Sequence, residues 1–153
     1  IKDVQAWSGL TRLREVVERL RPRLHVFSDE HGQELFDLPD APRPDPDTLA
    51  PPRFLPAFDN LILSHADRSR VVADDYRKAI ASRNGMVPAT VLLEGFVRGT
   101  WRTERTRGRT KLLIEPFEPL TKRDRDALTE EGTRLLAFTA PDAEAQEVRF
   151  ASL

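Results

Sequence analysis

The chain contains no cysteine. That excludes a disulfide framework, thiol catalysis and Cys-ligated zinc, and it fits a reducing compartment. Histidine is scarce too. None of His25, His31 and His65 has ligand spacing such as His-x3-His, so no metal site is expected. No apolar run approaches the roughly 20 residues that span a bilayer. No basic segment followed by an apolar one opens the chain as a signal peptide would. These absences predict a cytoplasmic protein without membrane contact. A Gly-rich phosphate loop and a Gly-x-Ser-x-Gly elbow are also missing, so neither a cofactor nor nucleophilic catalysis is expected. Strong net charge is absent as well: 24 Lys and Arg against 25 acids leave −1. No global field draws this protein onto nucleic acid.

What is present is 153 residues, 39% of them hydrophobic. That length and composition suit one domain or two small ones and exclude wholesale disorder. The bases are lopsided, 20 Arg against 4 Lys. Arg binds phosphate and base edges bidentately, but a GC-rich genome also enriches Arg, Ala and Pro. The first residue is Ile1, and the pattern begins inside a structured stretch. The expectation is a domain cut from a longer protein.

Residues 3–20 read as two short helices. Val4, Trp7 and Leu10 recur at helical spacing, with Asp3 as N-cap and Gly9 as the break. Thr11 is placed to cap the second helix, whose stripe is Leu13, Val16, Val17 and Leu20. Pro22 ends it. Strands near 23–27 and 34–38 then form a hairpin with Gly32 in the loop. Helix, turn, helix, hairpin is the order of a winged helix lacking its first helix. Residues 39–53 hold Pro39, Pro42, Pro44, Pro46, Pro51 and Pro52 among aspartates, and read as an extended acidic linker. The domains predicted are thus a truncated winged helix at 1–38 and a β-sheet-plus-helix domain at 54–153. The fold class is α+β.

In the second domain a short helix is expected over 74–81, stopped by Arg83-Asn84-Gly85. Strands follow at Thr90–Leu93, Phe96–Glu104 and Arg109–Ile114. Alternation puts Val97, Gly99 and Trp101 on one face and Arg98, Thr100 and Arg102 on the other. A four-residue loop, Arg105–Gly108, would set Arg102 opposite Lys111 and Trp101 opposite Leu112. Thr121 caps a helix to about Phe138, with Asp124 and Asp126 in its first turn and Leu128, Leu135 and Phe138 as its core stripe. Glu147–Ala151 is a last strand.

Charge is segregated. Residues 98–111 carry Arg98, Arg102, Arg105, Arg107, Arg109 and Lys111 against Glu104, a net +5. Residues 11–25 are net +3, and 28–50 net −6. A basic hairpin beside a helix-turn-helix is a footprint for a phosphate backbone; the alternative is a solvated face whose arginines pair with acids. Arg12 and Arg14 would face bases if the second helix reads the major groove. The acidic hairpin tip at Asp29, Glu30 and Glu34 opposes that. Asp59, Asp67 and Arg68, with Asn60 and His65 nearby, form a polar cluster, read as a buried Asp–Arg pair fixing a strand-to-helix connection.

Several short motifs then align in order. They are Asp3-Val4-Gln5-Ala6-Trp7-Ser8-Gly9-Leu10, Phe54-Leu55-Pro56-Ala57-Phe58-Asp59-Asn60, Asp67-Arg68-Ser69-Arg70, Pro88-Ala89-Thr90-Val91-Leu92 after Gly85, and Gly99-Thr100-Trp101-Arg102 after Gly95. The series resembles the winged-helix DNA-binding family that includes the AlkZ and YcaQ DNA glycosylases. The resemblance implies tandem winged helices around a DNA channel with a β-rich C-terminal part, of which this chain resembles the C-terminal portion. It implies duplex DNA and the upstream winged-helix domains of the same protein as partners. The family's catalytic Gln-x-Gln or Gln-x-Asp matches none of Gln5, Gln33 and Gln146, so no catalytic residue is carried over and the stretch itself is expected to be inactive. Two other readings stand beside it: a winged-helix transcription regulator whose β-domain senses a ligand or partner, and a purely structural support.

Overall fold

The computed structural model describes residues 1–81 and 85–153. It is α+β and separates into two compact units, residues 1–48 with 63–67 and residues 49–62 with 68–153.

In the first unit, α1 spans Lys2–Ser8 and stops at Gly9, whose φ of 68° lets its N–H reach back to the Gln5 carbonyl. Helix α2 spans Leu13–Leu20 and gives way to a 3-10 turn, Arg21–Arg23, containing Pro22. Neither expected cap forms. Asp3 lies inside the first turn of α1, and its carboxylate accepts the Ala66 N–H at 2.9 Å. Arg12, not Thr11, occupies the N-cap of α2, at a left-handed φ of 58°. The connection from Gly9 turns so tightly that helical backbone resumes only at Leu13. Strands β1 (His25–Ser28) and β2 (Glu34–Asp37) pair antiparallel with His25 opposite Asp37. The expected order of helix, turn, helix and hairpin is therefore present. No residue of these four elements is fully buried, and Val4, Trp7, Leu10, Val16 and Leu20 are exposed. Residues 38–52 form neither helix nor strand. The start of that stretch is held by Arg43, which donates to the Leu38 and Pro39 carbonyls and lies over the Phe27 ring.

The second unit is built on one sheet, in the spatial order β3 (Arg53–Leu55), β4 (Thr90–Leu93), β5 (Phe96–Thr106), β6 (Arg109–Pro116), β7 (Ala145–Phe150). Neighbours are antiparallel except β6 and β7, which are parallel and joined through α5 (Lys122–Thr139). Between β3 and β4 lie α3 (Asn60–Leu63) and a 3-10 turn, Asp74–Tyr76, that runs into α4 (Arg77–Ile80). Arg83 and Asn84 of the expected stop lie outside the described residues; Gly85 has a φ of 70°.

Two expectations about the sheet are corrected. The second hairpin turns on two residues, Arg107 and Gly108, because Thr106 already faces Arg109. Arg102 therefore opposes Leu113 and Trp101 opposes Ile114. The register slides by an even step, so each face keeps its residues although the partners change. Val97 and Trp101, however, do not share a face. Leu92 faces Val97 while Val91 faces Gly99, leaving Arg98 as an extra residue in β5. That bulge flips the alternation. Trp101 packs with Val91, Leu93, Leu112, Ile114, Leu128 and Leu136, the cluster shared with α5. Val97 packs on the other side of the sheet with Leu92, Ile62, Val72 and Ile80.

Thr121 caps α5, its hydroxyl oxygen accepting the Asp124 N–H at 3.2 Å. Asp126 stands beyond the first turn and pairs with Lys122 at 2.6 Å. The buried positions of α5 are Leu128, Gly132 and Leu136, one every four residues. Phe138 follows Leu136 by two positions, about 200° round the helix, and is 83% exposed, not core. Phe138→Ser should therefore shift unfolding by no more than about 0.5 kcal/mol. A urea midpoint lowered by more than that would return Phe138 to the core.

Candidate nucleic-acid interface

The basic side of β5 and β6 is charge-balanced. Arg98 donates to Glu118 at 2.9 Å. Arg102 bonds Glu115 and, at 3.1 Å, Glu104. Lys111 stands 3.7 Å from Glu104. Three cations meet three carboxylates. Two of these acids, Glu115 and Glu118, lie beyond the 98–111 stretch whose charge looked so positive. The register shows why Glu115 matters: it opposes Thr100, one diagonal step from Arg102. Glu118 also accepts the Tyr76 hydroxyl at 2.8 Å. That hydrogen bond to the carboxylate, with some desolvation, holds the phenol above its ordinary pKa.

The hairpin end differs. Arg105 donates to the Thr139 carbonyl at 3.2 Å, at the C-terminus of α5, where a cation suits the helix dipole. Arg107 and Arg109 are exposed and have no side-chain partner among the described residues. The Glu144 carboxylate lies against Gly108, between them in sequence.

On α2, Arg12 and Arg14 are exposed and likewise without a partner among the described residues. So are Arg19 and Arg23, which the sequence reading did not select. Arg21 is committed instead. Its guanidinium bonds Glu34 of β2 and Glu18 of α2, and it lies over the Phe36 ring. It ties the end of the helix to the hairpin and neutralises one of the acids at the tip. The Arg21 hydrogen bond holds the Glu34 carboxyl below its ordinary pKa. A depressed carboxylate adds stability that is fully present above its unfolded pKa and is lost as pH falls through the folded one. Arg21→Ala should move the Glu34 titration midpoint, followed by side-chain NMR, up to the ordinary carboxylate range. An unmoved midpoint would mean the clamp does not form in solution.

The polar cluster is not a buried ion pair. Asp59 is half-buried and accepts the Leu61 N–H at 2.8 Å, capping α3. Asp67 and Arg68 are exposed. Short polar side chains near a helix start satisfy free backbone N–H groups first, and that local demand decides the role of Asp59. Among the described residues no group of His, Asp and Glu is arranged to hold a metal ion, and no helix is long and apolar enough to cross a membrane.

A family model described as "DNA glycosylase AlkZ-like" matches residues 1–138. The chain belongs to the AlkZ-like DNA glycosylase family. Its fold is similar to that of the Streptomyces sahachiroi DNA glycosylase AlkZ, with a TM-score of 0.75 and 20% identity over 98% of this chain. The likeness thus runs past the family match toward β7. This AlkZ-like chain spans 41% of the length of that structure. No curated protein matches it. Within it Gln5 is exposed on α1, Gln33 lies in the first hairpin loop, and Gln146 donates to the Ala140 carbonyl at 2.9 Å. None begins a Gln-x-Gln or Gln-x-Asp sequence.

Proposed function

We propose that this chain is a duplex-DNA-binding part of an AlkZ-like DNA glycosylase, gripping the phosphate backbone while upstream winged-helix domains of the same protein carry out base excision. The family match over residues 1–138 carries the reading. Enzymes of this class extrude the target base at a cost of a few kcal/mol. They need contacts that hold the flanking duplex in place, and phosphate contacts do this without reading sequence. The partnerless arginines supply such contacts: Arg107 and Arg109 with Arg105 at the hairpin end, and those of α2. Arg98, Arg102 and Lys111 join only by exchanging their carboxylate partners for phosphates. The proposed division is a partial winged helix at 1–38, a linker at 39–53 and the sheet domain at 54–153.

The test is binding of residues 1–153 to a duplex of arbitrary sequence across a salt series. The expected result is binding at low salt that weakens linearly on a log–log plot, by about 0.9 per phosphate contact. No binding at low salt overturns the proposal, and strong preference for one sequence favours a transcription regulator. The same chain should release no alkylated base above a protein-free control.

A further inference from the structure

We infer that the outer side of β7 is a dimerisation surface, on which a second copy of this chain adds its own β7, antiparallel about a two-fold axis at Val148. The inference is independent of the duplex-binding reading and concerns the sheet unit alone.

Strand β7 ends the spatial order of the sheet, so one of its sides meets β6 and the other meets no strand among the described residues. The Ala145 N–H donates to the Gly108 carbonyl at 3.1 Å and the Ala151 N–H to the Ile114 carbonyl at 2.8 Å. Between them the β6–β7 register runs without a shift. Strand alternation then turns the N–H and C=O groups of Glu147 and Arg149 toward β6 as well, and those of Gln146, Val148 and Phe150 outward. The outward groups have no backbone partner among the described residues. The opposite border of the sheet is blunted: β3 has three residues and lies between Pro52 and Pro56, and proline cannot donate to a ladder. Strand β7 contains no Pro, Gly or Lys to deter pairing.

The side chains of β7 select a second β7 as the partner. Val148 and Phe150 pack toward α5. Glu147 and Arg149 lie on the opposite face, exposed and 2.7 Å apart. An antiparallel copy centred on Val148 sets Val148 against Val148 and Gln146 against Phe150. These are the outward residues, so each enters a hydrogen-bonded pair. Glu147 then falls opposite Arg149 of the second copy, and Arg149 opposite its Glu147. Both pairs occupy the closer, non-hydrogen-bonded sites, with about 4.5 Å between Cα atoms. Sliding the copy by two residues either way keeps the backbone bonds but brings Glu147 against Glu147 or Arg149 against Arg149. Opposite charges favour a cross-strand pair and like charges oppose it, so charge fixes the register. One strand pair is a small interface, and a concentration-dependent equilibrium is the form expected.

The experiment is sedimentation equilibrium of residues 1–153 from micromolar to millimolar concentration. The wild-type mass should climb toward that of two chains. E147R and R149E each set like charges face to face on both sides of the axis, and each alone should weaken association about tenfold or more. Circular dichroism should not change, because both positions are exposed. An equimolar mixture of E147R and R149E chains should associate again, since opposite charges then face each other in the mixed dimer. Amide hydrogen exchange reads the backbone: Gln146, Val148 and Phe150 should gain protection only as concentration rises, while Glu147 and Arg149 are protected throughout. A chain that stays monomeric up to millimolar concentration overturns the inference. Association that survives both single variants also overturns it, because the copies then meet elsewhere, and so does a mixture that fails to associate.

Discussion

Replacing Trp101 with alanine is expected to destabilise the sheet unit by about 3–5 kcal/mol. The indole is half-buried and packs on the cluster shared by the sheet and α5. Its ring meets Phe54 edge-on, at 5.5 Å between centroids and 89° between planes, an arrangement favoured beyond area burial alone. Its Nε1–H donates to the Leu55 carbonyl at 2.9 Å. Trp101 on β5 thereby ties β3 across the intervening strand β4. Alanine removes the ring, the edge-on contact and the hydrogen bond together. Against a total stability of about 5–15 kcal/mol for a small domain, that loss threatens folding. Trp101→Phe keeps most of the apolar contact and should cost less, with about 1 kcal/mol for the lost hydrogen bond. Urea denaturation of the two variants checks the ordering. An unchanged midpoint for Trp101→Ala, joined to weaker DNA binding, would make the indole a base-stacking group instead.

Gly99→Ala should be nearly as damaging, at about 1–3 kcal/mol, for the opposite reason: it adds an atom where there is no room. A Cβ there would sit 2.6 Å from the Glu115 carbonyl oxygen and 3.0 Å from the Pro116 Cα. Both are backbone atoms of the neighbouring strand, so relief requires β5 and β6 to part. They would part beside Glu115, whose carboxylate holds Arg102. The variant should therefore lower the denaturation midpoint and also loosen that ion pair, visible as altered Arg102 side-chain NMR signals. A midpoint equal to wild type would show that the strands yield freely at this point.

Much of this architecture is legible in the residues alone. The strands at Thr90–Leu93 and Phe96–Glu104, the Thr121 cap and the Gly9 stop are local signals, and the structure follows them. What escaped was pairing. Alternation places a residue on a face but says nothing of register, so a two-residue turn at Arg107-Gly108 reads much like a four-residue one. The bulge at Arg98 exists only in the relation of β5 to β4. The same limit governed the charges. A count over 98–111 shows a basic strand pair. That Glu115 and Glu118 neutralise it, and that Glu34 engages Arg21 rather than Arg12, depends on groups brought together from distant positions. Phe138 was misplaced by treating any apolar residue near the helix period as core, when Leu136 fits the four-residue repeat better.

Strand β7 joins β6 in parallel, and so cannot reach its place by closing a hairpin. The β5–β6 ribbon, turned by two residues, can zip within microseconds. Strand β7 must wait until α5 has been made and has settled over the sheet, and such non-local pairing is slow. In that interval β6 is an open edge, and the backbone groups of Leu112, Leu113 and Ile114 that later face β7 are available to any other strand. A chain ending with α5 would retain the family-matched stretch yet remain fixed at this stage, with self-association through β6 as its natural outcome.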